Sequence, residues 1–227
     1  MTHLQEALSE LKASLAEMAD LVSRQLDKSI RALVENDEDQ ANEVVISEKR
    51  VNAAELRIDE ACEYIFALLN PVANDMRLVF ATLKINSDLE RIGDYAEGIA
   101  KLVLLGKHSF NLQLIKDLQV EEMYEIAHHM LTDVTTAYTH EDTKLARTIF
   151  SRDAHLDKIN SQATDIIAQF CHEQPDNIPQ ALHLLTIIRK LERAGDHMTN
   201  IAEEIIFYVE AKVLKHKKDE NVRGNGG

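Results

Sequence analysis

Glu90 and Asp94 stand four residues apart in "LERIGD" (89–94), and Glu192 and Asp196 stand four apart in "LERAGD" (191–196). On a helix that spacing stacks both carboxylates on one face. Like charges so placed repel by roughly 0.2–0.5 kcal/mol, and a bridging cation turns the repulsion into attraction. All-oxygen donor clusters suit hard ions such as Mg²⁺, Mn²⁺ or Ca²⁺, and also iron. With 39 acidic residues in 227, a lone pair at this spacing is ordinarily a solvated helix face. The recurrence of Leu, Glu, Arg, Gly and Asp in register is far more specific.

A cation held by these pairs needs carboxylates from a facing helix. "DAHLD" supplies Asp153 and Asp157, again four apart, and the matching positions in the first half are Glu48 and Asn52 in "EKRVN". Asparagine is a neutral, weaker ligand. A shifted pair, Glu55 and Asp59, breaks the register and ranks below Glu48 and Asn52. The expected metal ligands are therefore Glu48, Asn52, Glu90, Asp94, Asp153, Asp157, Glu192 and Asp196.

A helical glycine costs roughly 1 kcal/mol relative to alanine. Gly93 and Gly195 thus mark a close approach, either of a metal cluster or of a neighbouring helix with no ligand. Arg91 and Arg193 either hold the adjacent carboxylates or are solvated charges. The adjacent His128 and His129 point to different faces and read as helix surface; His197, beside Asp196, is the one histidine of interest. Neither hexapeptide has a histidine three residues after its glutamate, as helical di-iron sites use. No phosphate loop, nucleophile elbow or Cys/His pair occurs, so the expectation is a protein that is not an enzyme.

Long amphipathic helices must position these groups. Apolar residues from Leu4 to Leu33 recur at three- and four-residue steps. "ENDED" (35–39) reads as a turn with a capping aspartate, and a second helix spans about 40–69 until Asn70-Pro71. A third spans about 72–105 and ends at Gly106. The plan then repeats, with helices over about 114–139, 143–172 and 180–214, and a polar, Gly-rich tail over 216–227 that reads as disordered.

The repetition holds residue by residue. At an offset of 105, Met18 matches Met123, Leu26 matches Leu131, Asp37 matches Asp142 and Glu48 matches Asp153. At 102, Leu89-Glu90-Arg91 matches Leu191-Glu192-Arg193, and Gly93-Asp94 matches Gly195-Asp196. The expected architecture is all-α, a duplicated three-helix unit over 1–108 and 112–215. The net charge of −14 argues against non-specific nucleic-acid binding. The two cysteines, Cys62 and Cys171, form no CxxC motif. The apolar runs fall far short of the ~20 residues of a membrane span, and no signal peptide is read at the N-terminus. The expectation is a cytoplasmic protein without membrane insertion.

"NDMRLVFATLKINSDLERIGDYAEGIA" and "LLTIIRKLERAGDHMTNIAEEI" resemble the two signature helices of the PhoU family of bacterial phosphate-signalling regulators, and the likeness extends over about residues 3–212. The resemblance implies two tandem three-helix bundles, a homodimer, and multinuclear metal sites of Fe, Zn, Mn or Mg. Carried over by position, the sites are Glu90 and Asp94 with Glu48 and Asn52, and Glu192 and Asp196 with Asp153 and Asp157. The family has Asp where this chain has Asn52, which weakens the first site. The resemblance also implies an adaptor between the phosphate ABC transporter and a sensor histidine kinase, repressing the phosphate regulon when phosphate is plentiful. Two other readings are an accessory protein of a sodium–phosphate or other permease, and a carboxylate-bridged metalloenzyme.

Overall fold

The computed structural model describes residues 2–106 and 110–211, and among them all regular structure is helical. The helices are α1 (His3–Glu35), α2 (Glu38–Leu68), α3 (Ala73–Leu105), α4 (Leu112–Asp117), α5 (Val120–His140), α6 (Thr143–Glu173) and α7 (Ile178–Glu210). Their ends follow local chemistry. Thr2 and Gln5 form a capping box at the start of α1. Asp37 caps α2 and Asp142, its match at offset 105, caps α6. Asn36 and Glu141, another matched pair, end α1 and α5 in the left-handed region, with φ 53° and 57°.

The helix expected over 114–139 is interrupted. Asn111 caps the short α4, Gln119 takes φ 53°, and α5 starts at Val120. The break lets both Leu118 and Val120 reach the core, two positions apart where a continuous helix would require three or four. Gly106 ends α3 as expected, but with φ −71° rather than a left-handed cap. Residues 107–109 and 212–227, which include the expected end of the last helix and the 216–227 tail, lie outside the described residues.

Each repeat is a bundle of three long helices, α1–α2–α3 and α5–α6–α7, joined chiefly by α3 packing on α7 and also by α1 on α5. Both seams are antiparallel. Lys84 reaches Glu204 and Arg77 Nε reaches the Tyr208 carbonyl along one; Asp27 bonds Tyr124 and Lys12 bonds Glu141 along the other. The seams are sealed by buried polar contacts as well as apolar ones. Tyr138 Oη lies 2.6 Å from Thr82 Oγ1 across the repeats, and within the second repeat Tyr208 Oη donates to the Tyr138 carbonyl at 3.0 Å, fixing the tyrosine in place. No described helix is long and apolar enough to cross a membrane.

Candidate metal centre

In the first repeat, α2 presents Glu48 to the inner face of α3, and the side chain is only 5 % exposed. Gln25 on α1 donates Nε2 to Glu48 Oε2 at 3.2 Å and to Ser47 Oγ at 3.1 Å. Glu48 Oε1 and Gln25 Oε1 are buried and accept no hydrogen bond. Gly93 makes the approach possible: a Cβ there would lie 3.2 Å from Gln25 Oε1, 3.3 Å from Val51 Cγ1 and 3.6 Å from Glu48 Oε2.

Burial, and then the charges of Asp94, Glu97 and Glu90, push the Glu48 carboxyl up to about 7. Glu90 is raised by burial, by Asp94 and by Glu55; Glu55 is raised by burial, by Asp59 and by Asp94. Arg91 offsets part of this crowding. Its Nη1 donates to Asp94 Oδ2 at 3.2 Å, and its Nε lies 3.6 Å from Glu90 Oε2. Of the two readings of Arg91, the structure selects the one in which it holds its neighbours.

The second repeat places Asp153 where the first has Glu48, at 2 % exposure. Gly195 again faces it: a Cβ there would come 2.5 Å from Leu156 Cδ1 and 3.1 Å from Asp153 Oδ1. Glu192 is raised by burial, by Asp196 and by Asp157, while Arg193 opposes the shift. Asp157 and Asp196 are exposed. The glycines therefore serve the same purpose twice. Each opens a helix face so that a buried carboxylate from the facing helix can lie against it.

Comparison with known proteins decides the family. The family model described as the PhoU domain matches residues 15–103 and again 120–205. The chain belongs to the PhoU family. It is 32% identical over 212 residues to the phosphate-specific transport system accessory protein PhoU homolog of Zymomonas mobilis, covering 93% of this chain and 89% of that one. It is 33% identical to the Aquifex aeolicus homolog of the same name (92% and 94% covered) and 32% identical to Escherichia coli PhoU (92% and 86%). Among solved structures, the phosphate transport system regulatory protein PhoU of Streptococcus pneumoniae superposes with a TM-score of 0.85 at 27% identity, covering 93% of this chain and 99% of that one. Pseudomonas aeruginosa PhoU superposes at 0.83 and 28% identity, with 92% and 100% covered.

Within this PhoU fold the expected ligands are unevenly assembled. Glu48, Glu90 and Asp94 share one electrostatic neighbourhood, as do Asp157, Glu192 and Asp196. Asn52 is exposed on α2, one turn beyond Glu48. Glu55, which register ranks second, interacts electrostatically with Asp94 and Glu90. At the matched positions of α6, Asp157 stands opposite Asn52 and Asn160 opposite Glu55, so acid and amide have exchanged places one turn apart. Asp59, the other half of the shifted pair, is engaged elsewhere, accepting from Asn86 Nδ2 at 2.9 Å. Gln25 and Glu97 were not visible as site residues, because their counterparts Met130 and Thr199 carry no charge and the repeat does not mark them.

Among the described residues, no three His, Cys, Asp or Glu side chains converge on a single point suited to a metal ion. His197, the one histidine of interest, reaches across the join between the repeats. Its Nδ1 lies 2.7 Å from Asp88 Oδ1 on α3, and its Nε2 lies 3.2 Å from Tyr95 Oη. His128 is half-buried, with Nδ1 3.4 Å from Ser23 Oγ on α1, while His129 is exposed as expected.

Proposed function

We propose that this chain is an accessory and regulatory protein of phosphate transport. It acts as a non-enzymatic cytoplasmic adaptor between a phosphate ABC transporter and a sensor histidine kinase, and represses a phosphate regulon when phosphate is plentiful. The observation that carries this reading is the PhoU match in both repeats, together with relatives named as phosphate-specific transport system accessory proteins. The physical character of the chain agrees with it. Long charged helix faces offer docking surface. A homodimer is part of the proposal.

The carboxylate clusters fit a hard cation in donor chemistry and charge. Glu48 Oε1 is a buried acceptor with no hydrogen bond, and the acids around it hold one another's proton affinity up, so each repeat has negative charge to be neutralised. Glu48, Glu90, Asp94 and Glu55, with Asn52 at the rim, would hold one group of ions; Asp153, Asp157, Glu192 and Asp196 would hold another. Fe, Zn, Mn and Mg are the metals proposed. A bound cation would offset the facing charges and tie α2 to α3 and α6 to α7.

Two experiments test this. In a strain lacking the gene, a phosphate-regulon reporter should be derepressed in high phosphate and restored to repression by the wild-type chain; unchanged reporter activity would sink the adaptor reading. Elemental analysis after native purification should find several ions per chain, with about half lost in Asp153→Ala/Asp196→Ala. Metal-free protein after loading with Mn²⁺, Fe²⁺ and Zn²⁺ would reduce the carboxylates to surface features.

A further inference from the structure

In a chain of net charge −14, basic side chains gather on one groove. It lies between α1 and α2, encloses about 480 Å³, and is lined by Arg24, Lys49, Arg50 and Arg57 around Leu21 and Ala53, with Glu17 and Asp20 on its α1 wall. Arg24 pairs with Asp20. Lys49, Arg50 and Arg57 are exposed and enter no ion pair or side-chain hydrogen bond among the described residues. Ile46 at 69% exposure and Leu56 at 62% stand on the exposed side of α2 at the two ends of this stretch, flanking the groove rather than lining it. The exposed cations are well solvated, so the unfavourable exposure on this face is that of the aliphatic side chains Ile46 and Leu56.

The duplication provides an internal control. At offset 105, α6 carries Ser151, Ala154, His155, Ser161 and Gln162 where α2 carries Ile46, Lys49, Arg50, Leu56 and Arg57. The two helices are each 31 residues long, and each packs closely on the last helix of its own repeat, although α2 lies more extensively on α1 than α6 does on α5. The fold therefore forms with small, polar residues at these positions. The aliphatic and basic side chains on α2 are not required by packing, and their grouping calls for a partner.

We infer that the α1–α2 groove docks an acidic amphipathic helix of a protein partner. A trough between two helices accommodates a third helix lying in it, with apolar anchors spaced to meet Ile46 and Leu56. Acidic residues flanking those anchors would complement Lys49, Arg50 and Arg57. A membrane surface fits less well, because a flat bilayer face cannot follow a groove between two helices, whereas a single helix can lie in it. The inference deepens the adaptor reading and rests on it in taking the occupant to be a protein.

The test uses the full chain and a fluorescein-labelled amphipathic helical peptide with leucines at i, i+4, i+7 and i+11, so that the outer pair spans about the distance from Ile46 to Leu56, and glutamates flanking them, against a scrambled control. Fluorescence anisotropy at pH 8 should show binding that weakens as salt is raised. It should fall about tenfold or more in Lys49→Ala/Arg50→His/Arg57→Gln, and also in Ile46→Ser/Leu56→Ser. These variants carry the residues that α6 already uses, and an unchanged thermal unfolding midpoint identifies them as folded. Binding that ignores salt or these substitutions, or no binding beyond the scrambled peptide, overturns the inference. So does finding that the substitutions instead abolish co-sedimentation with phosphatidylglycerol vesicles, or dissociate a dimer in light scattering. The peptide measurement involves neither transporter nor kinase, so its failure leaves the reporter result standing, and reporter failure does not touch the groove.

Discussion

Tyr95 Oη lies 3.2 Å from His197 Nε2, and the two residues occupy the same position in the two repeats, 102 apart. Their neighbours are exchanged in the same way. Lys190 Nζ stands 5.6 Å from the Tyr95 ring centre, and Asp88, the match of Lys190, stands 2.7 Å from His197 Nδ1. On the other seam, Ser23 meets its own match His128 at offset 105. Residues that touch their own counterparts lie on a twofold axis, so the join between repeats is an isologous interface built within one chain. The residues have diverged while the geometry has stayed. One cation sits on an aromatic ring on one side of the axis, and an acid meets an imidazole on the other.

The axis pair is expected to be energetically coupled. Tyr95→Phe keeps the ring beneath Lys190 and removes only the hydroxyl, so it should cost about 0.5–1.5 kcal/mol in urea unfolding. Combined with His197→Ala in a double-mutant cycle, it should show a coupling of about 0.5–1 kcal/mol. Strictly additive effects would mean that the contact contributes nothing to holding the repeats together.

The two glycines are expected to respond differently to alanine. At Gly195 the new methyl would sit 2.5 Å from Leu156 Cδ1, a fully buried side chain whose movement must propagate into the core. Overpacking of that kind costs about 1–3 kcal/mol, more than the roughly 1 kcal/mol that alanine gains in helix propensity at either position. At Gly93 the nearest atoms are 3.2 and 3.3 Å away, and the gain of about 1 kcal/mol in helix propensity offsets most of the strain. Thermal unfolding should therefore separate a clearly destabilised Gly195→Ala from a nearly neutral Gly93→Ala; equal losses would show that the tight contact relaxes freely.

Between the halves, Thr82 and Tyr138 should show an asymmetry of truncation. Thr82 Oγ1 also reaches the Leu78 carbonyl at 2.8 Å, so Tyr138→Phe leaves every remaining polar group bonded and should cost about 1 kcal/mol. Thr82→Val leaves the Tyr138 hydroxyl buried without its partner and should cost about 2 kcal/mol. Guanidinium unfolding of the two variants gives the order directly. The reverse order would place another acceptor beside Tyr138 Oη.

Helix spacing and duplication were legible in the sequence because both are periodic signals. Apolar steps of three and four located the long helices, and the matched hexapeptides located the helices that face one another. Breaks made without glycine or proline were not legible. Gln119 takes a left-handed turn that only the burial of Leu118 and Val120 explains. The site was legible where the repeats agree, at Glu48 and Asp153 and in the LERxGD helices. It was hidden where they differ. Glu55 lies in the electrostatic neighbourhood of Glu90 and Asp94 one turn from Asn52, and Gln25 reaches in from α1, where the repeats have no common residue to mark them. The partner of His197 was hidden for a related reason: Asp88 lies 109 residues away, and only the antiparallel seam brings it close.

The strongest pH signature belongs to Glu48. Its carboxyl is raised from an ordinary value near 4.5 to about 7 in the fold, by burial first and by Asp94, Glu97 and Glu90 after it. The raised value means that the protonated form is favoured in the native state. Glu48 therefore contributes stability fully below pH about 4.5, loses it as pH climbs toward 7, and contributes a constant penalty above that. The shift corresponds to roughly 3 kcal/mol at one pKa unit per 1.36 kcal/mol. Glu48→Gln should match wild type near pH 4 and exceed its stability by up to that amount at pH 8, in denaturant titrations across the range. A cation bound by the cluster would reverse the balance, since it stabilises the ionised form. Added Mn²⁺ at pH 8 should then raise the unfolding midpoint of wild type and leave Glu48→Gln nearly unmoved. An equal rise in both proteins would remove Glu48 from the ligand set, and the buried acid would stand as a pH-sensitive core residue alone.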